Sequence, residues 1–441
     1  MRKVLNNSLV MARLSIMIIM WCGLVDFVSA QTIYEEIIKN PNKSANNYCV
    51  YPDRDDHQYT PAPEGKIPFY ISHYSRHGSR YMNNPKAYTI PLDIMAKADS
   101  LDKLTPLGKD VLRQLRIVHE DVQGRCGELT ALGNVQHRHI IRRMMEHYPE
   151  VFADSANIDA RSSTKIRCIL SMGAAIQQMV AKNPQLRIRM DASSRDMWYL
   201  NYQDKLLRDS MMTHHATHAY KEFTQKREHN ERLMGSLFND TAYVRQHVDD
   251  GSLNYYLFKV ATIMQDTHLS DSLHLIDIFT RDELYRIWQK ENAWWYIAYG
   301  PSLLNGGNEP YSQRKLLRRI IEEADSCIAL PKPGVSLRYG HDTVILPLTC
   351  LLDLNGYGFQ TMDLEEVEPH QWLAYHVLPM AANMQFIFYR ESPSDEDVIF
   401  KILLNEEEAT LPIASSIAPY YRWSDFREYY LQKLDTYEAS R

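Results

Sequence analysis

The stretch Ile67-Pro68-Phe69-Tyr70-Ile71-Ser72-His73-Tyr74-Ser75-Arg76-His77-Gly78-Ser79-Arg80 starts as an apolar, β-leaning run behind the turn-rich Pro61-Ala62-Pro63-Glu64-Gly65 and ends in a dense basic turn. The run from Ile67 to Ser72 predicts a strand that ends near Tyr74. In open α/β sheets ligands sit beyond the carboxyl ends of the strands, where helix N-termini also point N–H groups at an anion. A strand that runs straight into Arg76, His77 and Arg80 therefore predicts such a sheet, with its site at that end.

Two further segments repeat the design. Asn157 to Arg161 reads as a short strand, Arg161-Ser162-Ser163-Thr164-Lys165-Ile166-Arg167 as its polar turn, and Thr164 to Lys182 as a helix halted by Asn183-Pro184. Val335 to Tyr339 reads as a strand, followed by Gly340-His341-Asp342 and an apolar helix from Thr343 to about Leu352. Leu104 to His119 and Leu129 to Tyr148 carry helix-period apolar residues, each with a Thr that can cap its start. Met384 to Arg390 and Asp397 to Leu404 read as an antiparallel pair at the sheet edge. Residues 195–300 are rich in Met, His, Tyr, Trp and charge, with helical periods and no clear strand. The predicted fold class is α/β, a mainly parallel central sheet flanked by helices with a mainly helical cap inserted. The boundaries are a signal peptide at 1–30, an irregular lead-in at 31–65, the α/β domain at 66–194 and 301–441, and the cap at 195–300.

At 441 residues, with 45% hydrophobic and 24% charged residues, the chain is too balanced for a disordered, collagenous or nucleic-acid-coating protein. Its formal charge of -6 means that an anion must find a local basic pocket rather than a global positive field. Arg2 and Lys3 precede an apolar run from Leu14 to Leu24 and a small-residue exit at Val28-Ser29-Ala30, the pattern of a signal peptide cleaved after Ala30. No later stretch reaches eighteen uninterrupted apolar residues, so the expectation is an exported protein, periplasmic or secreted, without stable membrane insertion. Five cysteines remain (Cys49, Cys126, Cys168, Cys327 and Cys350), an odd number that leaves at least one unpaired within the chain. No CxxC and no Cys/His cluster suggests a metal.

If the three turns line one pocket, its chemistry follows. Arg76, Arg80 and Arg167 offer planar, permanently charged forks that match phosphate oxygens and stabilise charge on a transferring phosphoryl group. Their field disfavours a further cation at His77, which stays neutral and nucleophilic, so that attack on phosphorus gives a phosphohistidine. Gly78 is expected to let backbone approach the ligand. Asp342 is the expected proton donor to the leaving alcohol and then the base for water, with His341 a further donor to a phosphate oxygen. No metal and no other cofactor is needed, and the expected partner is a small phosphomonoester rather than nucleic acid.

Arg76-His77-Gly78-Ser79-Arg80 resembles the RHGxRxP signature of the histidine acid phosphatases, the second branch of the histidine phosphatase superfamily, and His341-Asp342 looks like their HD pair. Arg161-Ser162-Ser163, with Arg167 and then Ser171, is similar to the segment that supplies the family's third phosphate-binding arginine. Gly127-Glu128-Leu129-Thr130, Gly133 and Gln136 match its G-x-LTxxGxxQ stretch. The resemblance implies an α/β domain with a helical cap, a phosphohistidine mechanism without metal, and phosphomonoester substrates that include phytate. It also implies a site made of Arg76, His77, Arg80, Arg167, His341 and Asp342. Tyr81-Met82 stands where the signature has its proline; the Arg-Tyr pair is similar to the multiple inositol polyphosphate phosphatase subgroup, which usually carries HAE where this chain has His-Asp. A phosphoryl transferase or mutase of the same superfamily, or a protein that binds phosphorylated ligands without turnover, are the other readings these residues allow.

Three features are assigned no function. His214, His215 and His218 lack a completing carboxylate and read as solvated or cap-packing. Trp294-Trp295-Tyr296 reads as packing, and Glu406-Glu407-Glu408 as a solvated turn.

Overall fold

The structure is a computed structural model that describes residues 33–202 and 204–441; the expected signal peptide lies outside the described residues. Its centre is one sheet built from β1 (Ile67–Arg76), β2 (Asn157–Ser162), β3 (Arg187–Asp191), β4 (Gly334–Gly340), β5 (Asn383–Arg390), β6 (Ile399–Leu404), β7 (Glu407–Glu408) and β8 (Tyr421–Arg422). The order is β3-β2-β4-β1-β5-β6-β7, with β8 also on β6. The β3-β2-β4-β1 half is parallel, whereas β5 and β6 run antiparallel beside it.

Register explains why three distant turns meet. Arg76 at the end of β1 pairs with Gly340 at the end of β4, and Ser162 at the end of β2 pairs with Tyr339. All three strands thus finish on one line, and their turns emerge side by side. β4, β5 and β6 are buried along their whole length, as strands covered on both faces must be. Tyr70 and Tyr74 of β1 face one apolar core with helices Arg314–Ile328, Asp342–Leu352 and Trp423–Ala439. Ile71 faces the other, with helices Ala131–His147 and Ile166–Lys182. The two expected caps form: Thr105 accepts from Gly108 N and Thr130 from Gly133 N, each satisfying a first-turn donor of its helix.

The stretch from Lys205 to Tyr299 is helical and divides between two cores. Helix Arg281–Tyr299 joins them: Leu284, Ile287 and Trp288 pack with helices 86–100 and 106–121, while Trp295, Tyr296 and Ile297 pack toward the sheet. His214, His215 and His218 face solvent.

Several expectations are corrected. The lead-in is not irregular throughout: residues 33–39 form a helix that buries Ile33 and Ile37, one turn apart, and Pro41–Tyr48 is a 3₁₀ helix capped by Asn40. β3 has no counterpart in the sequence reading, because Arg-Ile-Arg-Met-Asp is a short, largely polar run at the outer edge of the sheet. β5 of the expected edge pair lies beside central β1, and on the side away from β5 the described residues give β6 only the two-residue strands β7 and β8. Glu406 is not in a solvated turn. It is buried and held by Arg143 Nε and Nη2 at 2.9 and 2.6 Å, and it also accepts from Tyr51 Oη at 2.9 Å. The five described cysteines are unpaired.

Candidate active site

The turn after β1 is fixed on both sides by backbone. Arg76 N donates to Ala382 O at 2.7 Å, His77 N to Gly340 O at 3.0 Å, and Ala381 N to His77 O at 3.0 Å. The imidazole they position is 1% exposed. Its Nδ1 lies 2.9 Å from Gly78 O. A carbonyl only accepts, so Nδ1 carries the proton and Nε2 keeps the lone pair. The His77 pKa is held well below the usual histidine value, first by burial and then by Arg76, Arg80, Arg167 and His341. The sequence argument credited the arginines alone; loss of water is the larger cause.

Gly78 has a different role from the one expected. A Cβ there would stand 2.3 Å from Gly133 O, and a Cβ on Gly133 would stand 2.3 Å from Ser79 O. The missing side chains let the turn and the start of helix 131–147 touch backbone to backbone, so the space belongs to the helix rather than to a ligand. Ser79 is anchored there from several sides. Its N donates to Gln136 Oε1 at 2.8 Å, its O accepts from Thr130 N at 2.9 Å and Oγ1 at 3.1 Å, and its Oγ accepts from Gln136 Nε2 at 2.9 Å. Ser171 Oγ accepts from Gly78 N at 3.1 Å. Thr130, Gly133, Gln136 and Ser171, quoted above for their resemblance, thus form the cradle of the turn.

The six expected site residues face one another. Arg76 is wholly buried: Nη1 donates to Asn47 O and Leu378 O at 2.6 and 2.7 Å, and Nη2 lies 2.8 Å from Asp342 Oδ2. Asp342 opens helix Asp342–Leu352 and also accepts from Asn47 Nδ2 at 3.1 Å. Burial pushes its carboxyl up, but Arg76, Arg80, the Asn47 bond and His341 outweigh that and hold it at about 2. The His341 ring is 5.8 Å from that of His77 and 3.2 Å by Nε2 from Ser163 Oγ. Burial brings its pKa down to about 4; Asp342 opposes the fall, and Arg167, Arg76 and Arg80 add to it. The Arg80 guanidinium lies over the Tyr48 ring at 5.4 Å. Arg167 has its pKa lowered by burial and by Arg80. The Nε atoms of Arg80 and Arg167 are buried without a hydrogen-bond partner among the described residues, so these forks retain donors for an anion.

Sequence reasoning missed Asn47, Tyr48, Cys168 and Asp266. Asn47 and Tyr48 come from the lead-in, where no periodicity marks them. Cys168 Sγ lies 3.2 Å from Gly340 O and about as close to His341 as van der Waals contact permits, with Nε2 at 3.8 Å. Asp266 arrives from the helical stretch and accepts from Ser79 Oγ at 2.5 Å. Arg161, although it heads the second turn, ion-pairs with Asp159, Asp191 and Asp196.

The profile of the histidine phosphatase superfamily (branch 2) matches residues 74–405. Multiple inositol polyphosphate phosphatase 1 of Gallus gallus is 20% identical over 454 aligned positions, which cover 92% of this chain and 90% of that protein. The multiple inositol polyphosphate phosphatase of Bifidobacterium longum, in complex with inositol hexasulfate, superposes with a TM-score of 0.72 at 16% identity, over 87% of this chain and 97% of that one. The phytase from D. castellii superposes with a TM-score of 0.65 at 14% identity, over 89% and 85%. At such identities the structural likeness speaks for the fold, and the profile, which spans most of the sequence, speaks for descent: the chain belongs to branch 2 of the histidine phosphatase superfamily.

Proposed function

We propose that this protein is an exported phosphomonoester hydrolase that works through a phosphohistidine and takes inositol polyphosphates, phytate among them. The observation that carries the reading is the tautomer of His77: Nδ1–H is bonded to Gly78 O, which leaves Nε2 as the nucleophilic atom amid Arg76, Arg80 and Arg167. The relatives named for inositol polyphosphate phosphatase and phytase activity support the substrate class. Export rests on Arg2, Lys3, the Leu14–Leu24 run and Val28-Ser29-Ala30, and is checked by finding Gln31 at the mature N-terminus.

In the first step Nε2 bonds to phosphorus as the ester P–O bond breaks, and the leaving oxygen takes a proton from Asp342. In the second, water bonds to phosphorus as the N–P bond breaks, and its proton returns to Asp342. Against the upward push of burial, Arg76 and Arg80 hold the Asp342 carboxyl down at about 2. Phosphoryl oxygens that settle on the guanidiniums cancel the field responsible and raise that carboxyl toward its protonated form. The helical residues 195–300 act as the cap over the substrate, with Asp266 their contribution to the turn.

The test is His77→Ala on an aryl phosphate and on phytate. Loss of phosphate release from both, with fold retained, is expected; turnover near the wild-type rate would refute the nucleophile. Transfer of phosphate to an added alcohol in preference to water would assign a transferase instead.

A further inference from the structure

The turn Met264–Asp266, which follows helix Asp250–Ile263, carries a fully buried carboxylate to the catalytic turn from the far side of the sequence. We propose that Asp266 is a positioning residue of this site: through Ser79 it holds the Arg76–Arg80 turn, and its negative charge behind the arginines limits how tightly the pocket binds anions. The inference rests on the reading of the pocket as a phosphate site.

The geometry separates the two roles. Asp266 Oδ1 accepts from Ser79 Oγ at 2.5 Å, while Gln136 donates to that hydroxyl at 2.9 Å, so the hydroxyl links the helical stretch to helix 131–147 across the turn. A neutral acceptor would serve that purpose. Asp266 Oδ2, however, is buried with no hydrogen-bond partner among the described residues. Neither neighbouring guanidinium ion-pairs with it: Arg76 donates to Asn47 O and Leu378 O and pairs with Asp342, and Arg80 Nη1 donates to Tyr81 O at 2.9 Å. A buried carboxylate oxygen left unpaired is expensive to keep, and that cost is understandable if the charge itself is used. The groups that face it are Arg76, Arg80 and Ser79 of the turn, Gln136 of helix 131–147 and the buried Cys49 thiol of the lead-in. Burial, opposed by Ser79 and the two arginines, brings the Asp266 carboxyl up to about 7, so its charge changes across neutral pH. At the effective dielectric of a protein, one unit charge behind the arginines weakens the binding of a dianion by at least about tenfold.

The probe is inorganic sulfate, whose charge is constant above acid pH, titrated calorimetrically into the mature full chain. Wild type should bind sulfate about tenfold more weakly at pH 8.5 than at pH 6. Asp266→Asn, which keeps an acceptor for Ser79, should bind about tenfold more tightly than wild type at pH 8.5, lose that pH dependence, and show a lower KM for an aryl phosphate. Ser79→Ala should lower kcat at least tenfold with sulfate affinity changed less than threefold. Equal sulfate affinity of wild type and Asp266→Asn at pH 8.5 would overturn the charge role, and an unchanged kcat in Ser79→Ala the positioning role. Wild type and Ser79→Ala keep the test decisive should Asp266→Asn fail to fold: wild-type affinity constant from pH 6 to 8.5 overturns the charge role, and an unchanged kcat in Ser79→Ala the positioning role. If wild type neither binds sulfate nor releases phosphate, the phosphate-site reading itself falls; if it hydrolyses esters but fails the other tests, only this inference does.

Discussion

Arg76 Nη2 stands 2.8 Å from Asp342 Oδ2, and the guanidinium is fully buried while the carboxylate keeps a small opening to the pocket. The pair joins the ends of β1 and β4, and both partners lean on Asn47, whose carbonyl takes Arg76 Nη1 and whose amide donates to Asp342. On the proposed function, anion charge that reaches Arg76 would weaken its hold on Asp342 and so ease protonation of that carboxyl.

Asp342→Asn should therefore discriminate between leaving groups. Its kcat/KM on an alkyl phosphate such as phytate should fall at least about a hundredfold, and on an activated aryl ester less than tenfold, because a good leaving group needs little protonation. Equal losses on the two esters would mean that the proton comes from elsewhere.

Gly133→Ala places a Cβ 2.3 Å from Ser79 O and so pushes on the turn that carries His77. Overpacking of this kind costs about 1–3 kcal/mol, and displacing the proposed nucleophile His77 by about 1 Å should lower kcat by about a hundredfold. Thermal unfolding together with steady-state rates measures both, and a variant with wild-type kcat would show that the close approach is incidental.

Glu406→Ala should destabilise the fold by about 3–5 kcal/mol, since it leaves the buried Arg143 guanidinium without its two-pronged partner. Glu407→Ala, which loses only an exposed pairing with Arg54, should stay within about 1 kcal/mol of wild type. Denaturant midpoints that moved alike for both would contradict the contrast.

Acid stability follows from His73 and His137, which pack with Tyr339 near the end of β4. Burial brings both down to about 3, with His137 and Arg338 adding to the effect on His73. Above about pH 7.5 both are neutral whether the chain is folded or not, and the stability is whole. As the pH falls toward 3, the unfolded chain takes up protons that the folded one refuses, and stability is lost by roughly 4 kcal/mol per imidazole between pH 7 and 3.5. His137→Leu should flatten that decline by about half, as read from unfolding free energies at the two pH values; an unaltered slope would clear these histidines of the effect.

The three strand-and-turn units and their basic residues were legible because each is local: a β run and the polar turn behind it follow one another within some fifteen residues. Thr105 and Thr130 cap where their spacing predicts. β3, the ordered lead-in and buried Glu406 were not legible. Their residues are polar, and what orders them is a partner far along the chain, as Arg143 is for Glu406. Gly78 was singled out correctly and explained wrongly, since the backbone that fills its missing Cβ belongs to Gly133.

By itself the sequence determined the α/β layout and which residue types would meet at the strand ends, because periodicity and turn chemistry act over short distances. Only the tertiary structure decided what state those residues hold. The Nδ1–Gly78 bond selects the His77 tautomer, the Arg76 contact keeps Asp342 ionised, and Asn47 and Asp266 enter from segments with no motif. Ionisation and tautomer depend on exclusion of water and on charges a few ångströms away, and neither quantity exists until the chain has closed around them.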